Sequence, residues 1–166
     1  MTLVTCFVLG FYAVRALRFI NMDRLPPLEH DTEPDAEAYR FAYSATLRVF
    51  GSIPDFNAIS AVLHLEPTHI HRKGERGCLR EPYDTDMWSY DVPIEKSEPL
   101  HKHIDALWKQ LKPHKQYLLQ LKKSLTVDVF LGYRSDCDHA GVEVPHTSLE
   151  MFRELEIPFG LSIVVA

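Results

Sequence analysis

From Tyr39 to Phe50 the chain alternates: Tyr39, Phe41, Tyr43, Ala45, Leu47 and Val49 fall on one side, and Arg40, Ser44, Thr46 and Arg48 on the other. Side chains of a strand point to opposite faces in turn, so the run predicts a strand with one buried and one wetter face. Gly51 and Pro54 end it. Asp55 is placed to cap a short helix whose Phe56, Ile59, Val62 and Leu63 form one stripe, with Pro67 as its stop. Thr68 to Lys73 reads as an edge strand in which Ile70 points opposite to His69 and His71. Gly74 to Asp86 is a polar loop, and Met87 to Val92 is a further strand centred on Trp88.

The second half repeats the theme. Ser97 and Pro99 open a helix with Leu100, Ile104, Leu107, Trp108 and Leu111 on a single face. Pro113 breaks it, and Tyr117, Leu118 and Leu121 mark another short helix behind. Val127, Val129, Leu131 and Tyr133 alternate with polar neighbours as a strand, and a short strand-like VEV (142–144) follows the loop SDCDHAG. Thr147 and Glu150 have capping-box spacing before a helix carrying Leu149, Phe152 and Leu155. Pro158 stops that helix, and Phe159 to Val165 is a last, nearly continuous apolar strand. AISAVLHLEP and EMFRELEIP echo each other as helix ends stopped by proline. The expected class is α+β: an antiparallel-rich sheet with helices on one face, and two strand-helix-strand halves joined by a helical hairpin.

The front of the chain differs. Leu3 to Val14 is apolar apart from Thr5 and Gly10, and Arg15 and Arg18 follow it. The run is shorter than the ~20 residues of a membrane-spanning helix, and its arginines stand on the wrong side for a cleavable signal. Three readings of residues 1–21 stand side by side: an anchor, an extra packed element, and translation that begins at Met22. Residues 22–39 form an acidic, proline-rich linker, and 40–166 a single α+β domain. The 166 residues carry 18 basic and 23 acidic side chains, a formal charge of −5, which argues against a nucleic-acid binder. Cys6, Cys78 and Cys137 are too scattered for a disulfide framework, so a reducing, cytoplasmic setting is expected.

Over about residues 42–165 the chain resembles the domain of unknown function family 4279, found mostly in bacteria. The resemblance is carried by LRVFGSIPDFNAISAVLHLEPTHIHRKGE, MWSYDVP, PLHKHIDALWKQLKPHKQYLLQL and VDVFLGYRSDCDHAGVEVPHTSLEMFRELEIPFGLSIVV. It supports the α+β class and the domain limits, and it implies no activity.

Nine histidines make metal chemistry the first class to consider. His69 and His71, two apart on a strand, share a face, whereas His101 and His103 splay by about 200° near a helix start. Asp136, Cys137, Asp138, His139 and His146 gather in or beside one loop. No C-x-x-C or H-E-x-x-H spacing occurs, so most histidines are read as surface residues and no metal site is assigned, with His69 and His71 the pair to test. HIHRKGER (69–76) is the concentrated basic segment, and with Gly74 and Gly77 it suits an anion or an acidic partner. A ligand groove would combine His71, Arg72 and Lys73 with Trp88 and Tyr90. Phosphate-loop glycines and a G-x-S-x-G elbow are lacking, Asp84/Asp86 and Asp136/Asp138 read as loop residues, and Cys137 between two aspartates is poorly activated.

The expectation is a non-enzymatic binding or interaction domain with a protein partner, of regulatory or immunity-like kind. The alternative is a small anion-binding or ligand-binding domain, or an enzyme, built on the 69–76 loop, Trp88 and the histidines. No cofactor and no nucleic acid are expected, nor a membrane unless residues 3–14 are an anchor, and the oligomeric state is open. Mass spectrometry of the native protein tests one of the three readings of the front end: a peptide containing Phe7 to Arg15 excludes a start at Met22.

Overall fold

The computed structural model describes residues 41–77, 81–136 and 141–165. The expectations for the apolar front, the linker, Tyr39, Arg40, Cys6, Cys78, Cys137, Asp138 and His139 lie outside the described residues. In chain order the elements are β1 (Phe41–Gly51), α1 (Phe56–Leu63), β2 (His69–His71), β3 (Asp86–Asp91) and α2 (Leu100–Leu111). After a 3-10 turn at Lys112–His114 come α3 (Lys115–Leu121), β4 (Thr126–Ser135), a second 3-10 turn at His146–Leu149, α4 (Glu150–Leu155) and β5 (Phe159–Val165).

The five strands form one sheet in the order β2-β3-β1-β4-β5. β1 lies at its centre, antiparallel to both β3 and β4, with Leu47 opposite Tyr90 on one side and Val129 on the other. β2 closes one edge antiparallel to β3, and β5 closes the other parallel to β4. The first four strands thus interleave in the split β-α-β manner of ferredoxin-like topology, and α4 and β5 append one parallel β-α-β unit. The architecture is α+β with a mostly antiparallel sheet.

Alternation along β1 decides which face takes the helices. Ala45, Leu47 and Val49 are fully buried and belong to one core with Trp88, Val127, Val129 and Leu131 from the flanking strands. Phe56, Ile59 and Leu63 of α1, Ile104, Leu107 and Leu111 of α2, and Met151 and Leu155 of α4 complete that core. Burying such side chains is worth about 1.5–3 kcal/mol each, and this holds short helices in place that would not persist alone. Lysines tie the helical layer together: Lys112 reaches Glu150 at 3.2 Å, and Lys122 donates to the Leu155 and Glu156 carbonyls at the end of α4.

Several local expectations are corrected. The Thr147/Glu150 capping box does not form, because His146–Leu149 is a 3-10 turn and Glu150 instead accepts from Trp108 Nε1 at 3.1 Å. Residues 142–144 are not a strand; Val142 and Val144 pack on the core from an irregular segment. Pro113, by contrast, ends α2 as expected, and it sits inside the 3-10 turn that leads into α3. Val62 is exposed rather than part of the buried stripe of α1.

The echo between the two helix ends has a structural basis. His64 (φ 55°) and Glu156 (φ 50°) both adopt the left-handed conformation just past their helices. The next amide in each case, Leu65 N or Ile157 N, donates back to Ser60 O or Phe152 O at 3.2 Å. This is the Schellman cap with an apolar residue after the left-handed position, usually made with glycine. His64→Gly and Glu156→Gly should therefore each raise stability by about 0.5–1 kcal/mol, read as a shifted urea midpoint at constant m-value.

Candidate functional site

The face of the sheet away from the helices is polar, and its features gather around β2 and the start of β3. Because β2 spans three residues, His69 and His71 are its two side chains on that face, while Ile70 points the other way and is exposed. Their rings meet edge to face with His69 Nε2 3.2 Å from His71 Nδ1. His71 is buried and stacks on Tyr83, with ring centroids 3.6 Å apart and planes within 9°. Burial first, and then the charge of His69, hold the His71 pKa below the ordinary histidine value, against the opposing pull of Glu75 and Asp86.

Asp86 organises the neighbouring turn. It accepts from the amides of Lys73 and Ile53, each at 2.8 Å, and contacts the Arg72 guanidinium at 3.4 Å. These amides, with Arg72, lower its pKa below the usual carboxylate value. The Arg72 guanidinium also donates to the Ile53 and Pro54 carbonyls and lies over the Phe56 ring at 3.9 Å. Arg72 is thus a brace between β2 and the start of α1, although its side chain keeps substantial exposure.

The five residues proposed to share a groove are divided by the sheet. His71 lies on the open face. Arg72 and Lys73 follow it at the turn. Trp88 and Tyr90 sit on the helix side, at 0% and 8% exposure, and Trp88 Nε1 donates to Ser60 Oγ at 3.0 Å. Strand alternation separates them: Trp88 pairs with Ile70, not with His71. The basic segment is therefore brought together with Asp86, Phe56 and Tyr83 instead.

Two further features escaped the sequence. Arg48 and Asp128 form a two-pronged ion pair on the open face, at 2.8 Å from Nε and 2.6 Å from a terminal nitrogen, with both side chains about one-eighth exposed. The Arg48 guanidinium also stacks near Phe130, 4.6 Å from the ring centroid. No local motif marks this pair, since its members are on different strands and meet only through sheet register. The second feature is His103, buried at 1% exposure with Nε2 3.1 Å from the Glu98 carbonyl, where the sequence suggested a surface position. Elsewhere, an open groove of about 360 Å³ is lined by His146, Thr147, Leu149, Glu150 and Arg153. Among the described residues no group of three or more His, Cys, Asp or Glu side chains is arranged to hold a metal ion, and no helix is long and apolar enough to cross a membrane.

With this geometry in view, the comparison with known families is decisive on one point. The profile of the Domain of unknown function (DUF4279) family matches residues 41–166. The chain belongs to that family. Neither the curated proteins nor the solved structures returned a match. The DUF4279 segment starts where β1 starts and takes in every described strand and helix. It carries 14 basic and 17 acidic residues, a formal charge of −3 against −5 for the whole chain.

The buried histidines make stability depend on pH. Burial lowers the pKa of His71 and His103 in the folded DUF4279 domain, so the unfolded chain binds more protons over the interval below about 6.5. Their contribution is complete above that value and is lost as the pH falls from it toward the folded pKa. Urea unfolding at pH 7.5 and 5.5 should show a lower midpoint at 5.5, and His103→Leu should reduce the difference. An equal difference in the variant would remove His103 from the account.

Proposed function

We propose that this domain is a non-catalytic binding module that engages a protein partner along β5, in a regulatory or immunity-like role and in a reducing, cytoplasmic setting. The observation that carries the reading is the state of β5. Among the described residues it is an edge strand, and its Phe159, Leu161, Ile163 and Val165 are 49%, 42%, 57% and 56% exposed. Edge strands of self-contained domains are normally blunted by charges, proline, bulges or short length. β2 at the opposite edge is blunted by its three-residue length, but β5 runs for seven residues without a charge. Its outer backbone edge and apolar stripe suit an extended segment of another protein, with main-chain hydrogen bonds for affinity and alternate side chains for specificity.

The near balance of charge in the folded segment favours an apolar contact over one driven by bulk charge. The alternative, a ligand groove joining the basic loop to Trp88 and Tyr90, is weakened because those rings are core and Arg72 is committed to Asp86 and Phe56.

The test compares capture by the full chain with capture by Ile163→Lys and by a control charge at another exposed apolar position, Val62→Lys. The expected outcome is a stoichiometric protein retained by the wild type and by Val62→Lys and reduced at least tenfold by Ile163→Lys, with stability changed by no more than about 0.5 kcal/mol. Absence of a stoichiometric partner, or equal capture by Ile163→Lys, refutes the reading.

A further inference from the structure

The opposite edge of the sheet carries a different chemistry. Two neutral imidazole nitrogens placed face to face repel through their lone pairs unless something positive lies between them. At 3.2 Å, His69 Nε2 and His71 Nδ1 are joined by a single proton when one ring donates to the other. A tetrahedral cation with metal–nitrogen bonds of about 2.0–2.1 Å holds two of its nitrogen ligands about 3.3 Å apart. The separation across β2 therefore suits a shared metal ion as well as a shared proton, without a change in strand register.

The surroundings favour the cation. His71 is fixed by its stack on Tyr83, with ring centroids 3.6 Å apart. Glu75 and Asp86 both act electrostatically on the ring from nearby. Arg72, next in sequence, is held by the Ile53 carbonyl, Asp86 and the Phe56 face. Asp86 itself is taken up by the Ile53 and Lys73 amides and Arg72, so it contributes field rather than a ligand.

We propose that His69 and His71 form a two-nitrogen site for a divalent transition-metal cation of the nickel, copper or zinc class, with water in the remaining positions. On binding, both facing nitrogens turn their lone pairs to the metal. The His69 ring then carries its proton on Nδ1, so the ring remains neutral and no net proton is released from it. Imidazole ligands place the expected affinity order with copper(II) above nickel(II) and zinc(II). The site is independent of the β5 edge.

Calorimetric titration of the reduced full-length chain with nickel(II) or zinc(II) alone tests it. The expected result is a saturable site with Kd below about 50 µM, weakened at least tenfold by His69→Ala and by His71→Ala and unchanged by His101→Ala. Copper(II) bound to the wild type should give an electron paramagnetic resonance signal coupled to two imidazole nitrogens. His69 is exposed, so His69→Ala remains informative even if His71→Ala disturbs folding. A wild type with no site below about 50 µM, or one that survives His69→Ala, overturns the proposal.

Discussion

The structure depends on the burial of one side of one strand. β1 is hydrogen-bonded along both edges, and Ala45, Leu47 and Val49 have no exposed surface. A one-residue slip of β1 would turn those side chains to the open face and bring Ser44, Thr46 and Arg48 under the helices. The cost of burying an unpaired guanidinium makes that arrangement inaccessible. Register in β3 and β4 is then set by β1, and α1, α2 and α4 settle on the face that carries its buried apolar row.

The same constraint organises the open face. Since alternation puts Arg48 and Asp128 on it at paired positions, they meet through both guanidinium prongs, beside Phe130. Phe130 in turn lies across Gly160 of β5, where an added Cβ would stand 3.3 Å from its ring. Gly132 faces Ser44 so closely that a Cβ would come within 2.4 Å of the hydroxyl. The open face is thus closely fitted in the middle, where charge and aromatic rings interlock, and the sheet as a whole is chemically distinct at its two edges. One edge presents an imidazole pair on a short strand. The other presents an uncharged, seven-residue strand with exposed apolar side chains.

Element identity was legible because it follows from local periodicity and stop signals. The 3.6-residue spacing of Leu100 to Leu111, the alternation of β1 and β4, and Asp55 ahead of α1 all correspond to observed elements, and the Asp55 side chain accepts from Asn57 N at 2.9 Å. The failures share a cause. Thr147/Glu150 met the spacing of a capping box, but Trp108 and Lys112 on α2 and its following turn compete for the Glu150 carboxylate. His103 looked like a surface residue until its turn of helix was packed against the segment around Glu98. Of the candidate site, the shared face of His69 and His71 followed from strand period alone. Their distance, the Tyr83 stack and the role of Asp86 did not.

Sequence by itself determined the five strands and most of the helices, the prolines that stop them, which side of each central strand is apolar, and which family the domain resembles. These are properties of neighbouring residues and of spacing along one chain. Tertiary structure decided the strand order, the Arg48–Asp128 pair, the separation of Trp88 and Tyr90 from His71, and the exposure of β5. Each of these depends on which distant segments become neighbours, and that is settled by competition for the buried face of β1 rather than by any local run of residues.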